Sequence, residues 1–517
     1  MEISMNEYSL ILTMLFPVIT GILLLVLPKL KCKKNRDIYV VVMLVLTALL
    51  TLGIMMSGEK ELELFYITKE TACAFKTDAL ARFFLGFINV VWPLVGIFSL
   101  EYMKHEEREE QFAACYLVVY GVLNGLSMSA NLVTFYLFYE LMTLLTVPLV
   151  LHTHERKAIH AAKKYLFYSI AGASMALFGI FFLSTFTHSL TFTEGGTLHI
   201  AAQVGNETML LLAVGFLLLG FGTKAGLFPM HAWLTAAHPV APAPASAVLS
   251  GVITKAGVLG ILRVVFYITG PDVLRGTWVQ TTFLILTLVT VFMGSMLAYK
   301  EQEMKKRFAY STVSQLSYIL FGIALLTENG LTGSLLHIVF HSLIKNALFV
   351  VAGIIIYKTG KRKMNELRAI GKQLPFAIGC FLFAALALVG IPPTSGFVSK
   401  WFLAIGALDA EIPVFSILGP VVLLLSALLT AGYLLPIALH GFFPGKEEVM
   451  EICSQNAKQE KPSTETMKEV LKSDAPRWRE PICLYVPLGI LAAGAVLLGM
   501  FPTGLLEQIQ GIITGLF

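Results

Sequence analysis

Of 517 residues, 56% are hydrophobic and 14% charged, where soluble globular chains carry about 25% charged residues. No water-soluble core hides that much apolar surface, so composition excludes a soluble enzyme, and the net charge of +5 concerns placement relative to a bilayer rather than nucleic acid. The cysteines Cys32, Cys73, Cys115, Cys380, Cys453 and Cys483 form no CxxC pair and stand beside no His-rich tract, so no disulfide framework, no metal site and no redox cofactor is expected.

The chain opens with YSLILTMLFPVITGILLLVL, followed by KLKCKKNR. The basic cluster comes after the apolar stretch and no small-residue cleavage site is evident, so a retained first span is expected. Apolar runs of about 20 residues then recur along the chain. The expected spans are 8–28, 38–56, 79–101, 112–127, 129–151, 165–187, 207–236, 243–268, 280–299, 308–327, 331–357, 375–406, 413–441 and 482–502, about fourteen in all. The stretch 442–481 is too polar to cross and is expected to be a cytoplasmic loop or short surface helix.

Basic residues alternate from loop to loop. Lys29 to Arg36, Lys104 and Arg108, Arg156 to Lys164, Lys300 to Arg307, and Lys358 to Lys372 fall on one side, whereas the long loop SLTFTEGGTLHIAAQVGNE on the other has no Lys or Arg. The positive-inside rule makes the basic side cytoplasmic and puts both termini on the non-cytoplasmic side.

Two spans are long and interrupted: 207–236 holds LLLGFGTKAGLFPMHAWL and 375–406 holds LALVGIPPTSGFVSKWFL. Proline removes a backbone donor and clashes with the preceding turn, so breaks are expected at Pro229 and at Pro392 and Pro393. Free backbone groups at membrane depth are tolerated only beside protein or a water-filled cavity, as at transporter ion sites. The fourth to eighth and the ninth to thirteenth spans make five each, and an odd number sets the second group running opposite to the first.

Ionisable residues inside these spans are functional candidates, because burying charge in a bilayer costs at least a few kcal/mol. They are Glu140 in FYLFYELMTLL, Lys224 in GTKAGLFP, Lys255 in GVITKAGVLG, His337, His341 and Lys345 in HIVFHSLIKNALF, and Lys400 in SGFVSKW. His337, His341 and Lys345 are spaced by four, so they share one helical face. A lone buried histidine is most often structural, but two histidines and a lysine in one stripe are harder to explain that way. Lys224 and Glu140 have a plain alternative too, an ion pair that only holds helices together. Desolvated lysines release protons far more readily than lysines in water, and histidine titrates near neutrality, so the set suits proton transfer. GxSxG, P-loop and HExxH patterns do not occur.

Over GTKAGLFPMHAWLTAAHPVAPAPASAVLSGVITKAGVLG, KRFAYSTVSQLSYILFGIA, HIVFHSLIKNALFVVAG and GIPPTSGFVSKW the chain resembles the antiporter-like subunit family shared by the respiratory complex I pumping subunits, Mrp-type Na+/H+ antiporters and membrane-bound hydrogenases. The resemblance implies an all-α polytopic membrane protein of about fourteen helices with two inverted five-helix repeats, each with one broken helix. It also implies a hydrophilic axis on which Glu140 and Lys224 pair, Lys255 bridges, and His337, His341, Lys345 and Lys400 lead to the other half-channel; some members carry glutamate in place of Lys400. The expected organisation is three N-terminal helices (1–111), a first repeat (112–268), a second, inverted repeat (280–441), a cytoplasmic insert (442–481) and a C-terminal helix (482–517). Implied partners are other membrane subunits of one complex, homologous antiporter-like chains among them, in the plasma or inner membrane, with H+, alone or together with Na+, as the transported ion. The run AHPVAPAPASAVLSGVITKAG points to the hydrogenase-related branch ahead of Mrp antiporters and complex I. A stand-alone solute carrier and a quinone-reducing enzyme are the readings from other classes; the second lacks any redox ligand set.

Overall fold

The computed structural model describes residues 8–68, 71–187, 189–198, 205–443 and 481–517. In hydrocarbon every backbone donor must find its partner within its own segment, so long apolar runs become helices. The helices are α1 (Tyr8–Val26), α2 (Lys33–Met56), α3 (Ala79–Tyr102), α4 (Glu109–Met128), α5 (Leu132–Leu151) and α6 (Arg156–Leu183). A broken pair follows, α7 (Glu207–Lys224) and α8 (Ala232–Val240), then α9 (Ala243–Thr269), α10 (Trp278–Lys300), α11 (Met304–Ala324) and α12 (Glu328–Thr359). A second broken pair, α13 (Pro375–Val389) and α14 (Ser395–Asp409), precedes α15 (Phe415–Phe442), α16 (Ile482–Met500) and α17 (Thr503–Ile513).

Twelve of these helices are long and apolar enough to cross a membrane. The chain is an all-α, multi-span membrane protein. The described residues outside helices include one antiparallel hairpin, Glu61–Tyr66 against Ala72–Lys76, which the apolar-run reading did not anticipate. Nor did it anticipate α17, which turns Ile509, Ile512 and Ile513 inward and leaves Glu507, Gln508 and Gln510 outside.

Side chains fix several helix starts. Asp78 accepts from the Ala81 amide at the start of α3 and Asn131 from the Thr134 amide at the start of α5, each at 2.8 Å, satisfying donors that a helix end leaves free. The sixth expected span starts too late: α6 begins at Arg156, so Arg156, Lys157, Lys163 and Lys164 lie in its first turns rather than in a loop. Long basic side chains at a helix end reach the polar interface, which lets the helix outrun its apolar band. Likewise Lys305, Lys306 and Arg307 belong to α11.

Both expected breaks are present, between Lys224 and Ala232 around Pro229, and between Val389 and Ser395 around Pro392 and Pro393. Gly390 ends α13 in a left-handed conformation, φ +89°, that only glycine takes without strain. α9 is buried along its whole length and α12 from Gly330 to Ile355, and both stand at the centre, packed on the other helices. α9 is irregular, with π-turns at Leu249–Ile253 and Arg263–Thr269, a feature frequent near functional sites. The insert expected at 442–481 lies, from 444 to 480, outside the described residues.

Candidate functional site

All the candidate residues but Glu140 gather on the two central helices and at the two breaks. Lys224 closes α7 and is 1% exposed. Its Nζ donates to Thr143 Oγ1 and Tyr165 OH, both at 2.8 Å, and to Ser169 Oγ at 3.2 Å. The rings of Tyr139, Tyr165 and Trp233 lie 4.6 to 5.8 Å from the ammonium. Three hydroxyls and three aromatic faces hold a cation without a counter-ion.

Glu140 is on α5, half-buried, with Oε1 shielded from solvent and unpartnered among the described residues. No ion pair joins it to Lys224 there; the lysine is held by hydroxyls instead. Its neighbours Leu137, Leu141 and Leu144 open outward, so Glu140 stands near the outer face of the bundle.

α9 meets α7 beside Lys224. Gly257 is required at this crossing, since a Cβ there would come within 2.4 Å of the Phe221 carbonyl oxygen and 3.0 Å of Lys224 Cβ. Two residues earlier, Lys255 follows the first π-turn. Its Nζ donates to the Ser250 carbonyl at 2.6 Å and lies 2.7 Å from His341 Nδ1. A donating ammonium makes Nδ1 the acceptor and puts the ring proton on Nε2, which is buried and unpartnered among the described residues.

His337 lies one turn away on α12, ring centroids 5.9 Å apart. The Gln315 amide oxygen, 3.1 Å from Nε2, accepts, so His337 Nε2 carries the proton and Nδ1 faces the Ser399 hydroxyl at 2.9 Å. Lys400, the next residue on α14, turns inward to donate to the Leu388 and Val389 carbonyls at 2.7 and 2.9 Å. These carbonyls end α13, where the helix dipole favours a cation. The Lys400 ammonium also lies 5.1 Å from the Tyr318 ring, which stacks on His337.

Lys345 shares the stripe but takes a separate branch. It donates to Ser311 Oγ at 2.7 Å and to the Phe308 carbonyl at 3.2 Å, and Tyr433 OH reaches the same Ser311 at 2.7 Å.

The structure thus brings together Lys255, His341, His337 and Lys400, places Lys345 beside them, and leaves Glu140 apart. Sequence reasoning missed the neutral partners Thr143, Tyr165, Ser169, Gln315 and Ser399, which carry no signal among ordinary helical residues. It also missed His238, fully buried on Phe349 with both ring nitrogens unpartnered among the described residues. A third omission is Arg263, an ionisable residue within an expected span, which forms a two-pronged ion pair with Asp78. No cluster of three or more His, Cys, Asp or Glu residues able to hold a metal occurs among the described residues.

The family model described as NADH:quinone oxidoreductase/Mrp antiporter, TM matches residues 129–442. The chain belongs to this family. The matched segment holds all seven titratable candidates. The chain is 30% identical over 421 residues to NADH-quinone oxidoreductase subunit N of Desulforudis audaxviator (strain MP104C), covering 80% of this chain and 79% of that one. It is 27% identical over 458 residues to a Na(+)/H(+) antiporter subunit of Bacillus subtilis (strain 168), covering 88% and 90%. To Hydrogenase-4 component B of Escherichia coli (strain K12) it is 30% identical over 344 residues, covering 63% of this chain and 50% of that longer one. The fold matches a chain in the structure of the Mrp complex from Dietzia sp. DQ12-45-1b with TM-score 0.81 at 22% identity, over 99% and 98% of the two chains. The protein is an antiporter-like membrane subunit of the type these relatives represent.

Proposed function

We propose that the chain translocates protons across the plasma membrane as one subunit of a multisubunit, redox-driven, hydrogenase-related complex. The contact between Lys255 and His341 carries this reading. Two titratable groups on the two central helices meet at 2.7 Å, with exposures of 1% and 0%. A buried lysine against a histidine, with no carboxylate in ion-pair range among the described residues, is a costly way to hold helices together, and apolar residues of similar volume would do so better. As a site that passes a proton from one basic group to another, the pair has a use.

In this reading protons pass Lys224, Lys255, His341, His337 and Lys400 in turn, with Lys345 feeding the axis from its Ser311 branch. Glu140 adjusts the charge beside Lys224 and faces a neighbouring subunit across the outward leucines. The chain crosses the membrane fourteen times, with both termini non-cytoplasmic, and 112–268 and 280–441 are inverted repeats flanked by 1–111 and 482–517. Supporting the repeats, each group has one broken helix with a lysine at its break, Lys224 and Lys400. Supporting the hydrogenase branch are the run AHPVAPAPASAVLSGVITKAG and the similarity to Hydrogenase-4 component B.

The test is purification of the native complex through a tag on this chain, followed by reconstitution in liposomes. Hydrogenase-type large and small subunits should copurify, and redox turnover should acidify one compartment. Co-purification of Mrp subunits, with a Na+ requirement for H+ movement, would move the chain to the antiporter branch.

A further inference from the structure

On the flank of the bundle, away from the titratable axis, a groove of about 580 Å³ opens between α3, α12, α16 and α17. Its walls are apolar: Phe83, Phe87, Val90 and Val91 from α3, Val339 and Leu343 from α12, Leu498 from α16 and Ile512 from α17. Polar lining comes from Arg82 in the first turn of α3 and from Glu507 and Gln508 on the outer side of α17, which packs on both α3 and α12.

We propose that this groove binds one phospholipid of the bilayer with an amine-bearing zwitterionic headgroup, of the phosphatidylethanolamine type. Three observations fit that occupant. First, the α3 wall runs from Ala79 to Val91, which at a rise of about 1.5 Å per residue is about 18 Å, slightly more than the ~15 Å of one leaflet of a hydrocarbon core about 30 Å thick. An acyl chain entering beside Arg82 therefore reaches the groove's inner end near mid-membrane.

Second, the charges suit both ends of the headgroup. The Arg82 guanidinium makes no hydrogen bond among the described residues, and its ion-pair partner Glu59 is 3.9 Å away and half exposed. It remains free to take a phosphate in its planar fork. Glu507 offers a carboxylate to a primary amine. A neutral apolar helix from a partner subunit would leave both charges unmatched.

Third, the groove is open to the lipid side rather than closed, since Val90 is 52% exposed. Gly86 adds space, because a Cβ built there meets only Met55, at 3.4 Å. Val339 and Leu343 lie on the back of the helix whose front carries His337 and His341, so the bound chain packs directly behind the titratable stripe. This inference needs only that the chain spans a bilayer, and it stands or falls separately from proton translocation.

The test is native mass spectrometry of the complex purified with this chain, delipidated and then titrated with phosphatidylethanolamine, phosphatidylcholine or phosphatidylglycerol. The wild type should retain one phosphatidylethanolamine in preference to the other two. Gly86→Leu, which fills the groove, should abolish that retention. Arg82→Ala should weaken all three lipids, whereas Glu507→Gln should keep a lipid bound but lose the preference for the amine. Equal retention by wild type and Gly86→Leu, no preference among the three lipids, or a partner's helix seated in the groove in a structure of the complex would each overturn the proposal.

Discussion

Lys255 Nζ lies 2.7 Å from His341 Nδ1, and this contact joins titratable groups on the central helix of the first half of the chain and on that of the second. Both side chains sit in the interior with no carboxylate in ion-pair range among the described residues, so a shared proton is held against a desolvation cost that the Ser250 carbonyl alone, a neutral acceptor, offsets only in part. Replacing Lys255 by methionine removes that cost. Thermal unfolding of Lys255→Met should show stability unchanged or raised by about 1–4 kcal/mol. Proton movement should drop about 100-fold, the weight of one positioned proton-transfer group. A variant that loses stability and conduction together would make the lysine structural.

Lys224 and Glu140 behave differently, because Lys224 is satisfied by Thr143, Tyr165 and Ser169 rather than by Glu140. Glu140→Gln should therefore leave the thermal midpoint nearly unchanged. Lys224→Met takes the ammonium from three buried hydroxyls, of which Thr143 keeps the Tyr139 carbonyl and Tyr165 keeps Thr146, and the loss of these bonds should cost about 1–3 kcal/mol. The double variant should equal the sum of the singles in stability, and neither single should support transport. Strong non-additivity in stability would show a direct ion pair in the membrane that is absent in this geometry.

Asp78 and Arg263 form the buried clamp between the start of α3 and the end of α9. Burial pushes the Asp78 carboxyl up, but the Arg263 charge, its two N–H bonds and the Ala81 amide more than offset this, holding it below the usual carboxylate range. A depressed folded-state value contributes stability that is present above the unfolded value, about 3.9, and lost as pH falls through the lower folded value. Asp78→Asn should cost about 3–5 kcal/mol at neutral pH by leaving Arg263 uncompensated. Acid unfolding curves should show the wild type losing its advantage over Asp78→Asn only below about pH 4. An advantage already lost near pH 6 would contradict the assignment.

The apolar helices and both breaks were legible because bilayer burial demands runs of apolar residues and proline cannot continue a helix; edges moved, as at Lys33, Arg156 and Met304, where basic and polar residues continue helical beyond the apolar band. The titratable stripe was legible from spacing alone. What surrounds each lysine was not. Thr143 and Ser169 come together around Lys224 from two other helices, and no local pattern encodes such convergence. Arg263 could have been found by treating every charge inside a span as a question, and His238 by noting that a histidine between AA and PV has no polar company.

Sidedness has its own check. With exposed Cys32 and with Cys453 of the polar 442–481 stretch replaced by serine, Asn365→Cys and Thr193→Cys should react with a membrane-impermeant maleimide from opposite sides, with Asn365→Cys labelling only from the cytoplasm. Labelling of both from one side would reverse the positive-inside placement and break the fourteen-crossing reading.

The central claim is that protons cross the bundle through the Lys255–His341 contact. It is tested most directly by the ratio of protons moved to electrons transferred, measured in liposomes holding the intact complex with wild-type, Lys255→Met or His341→Leu chains. Redox turnover should continue in both variants while the ratio falls by this subunit's share, and the double variant should match either single. An unchanged ratio in Lys255→Met, in a complex that assembles fully, would show that protons take another route.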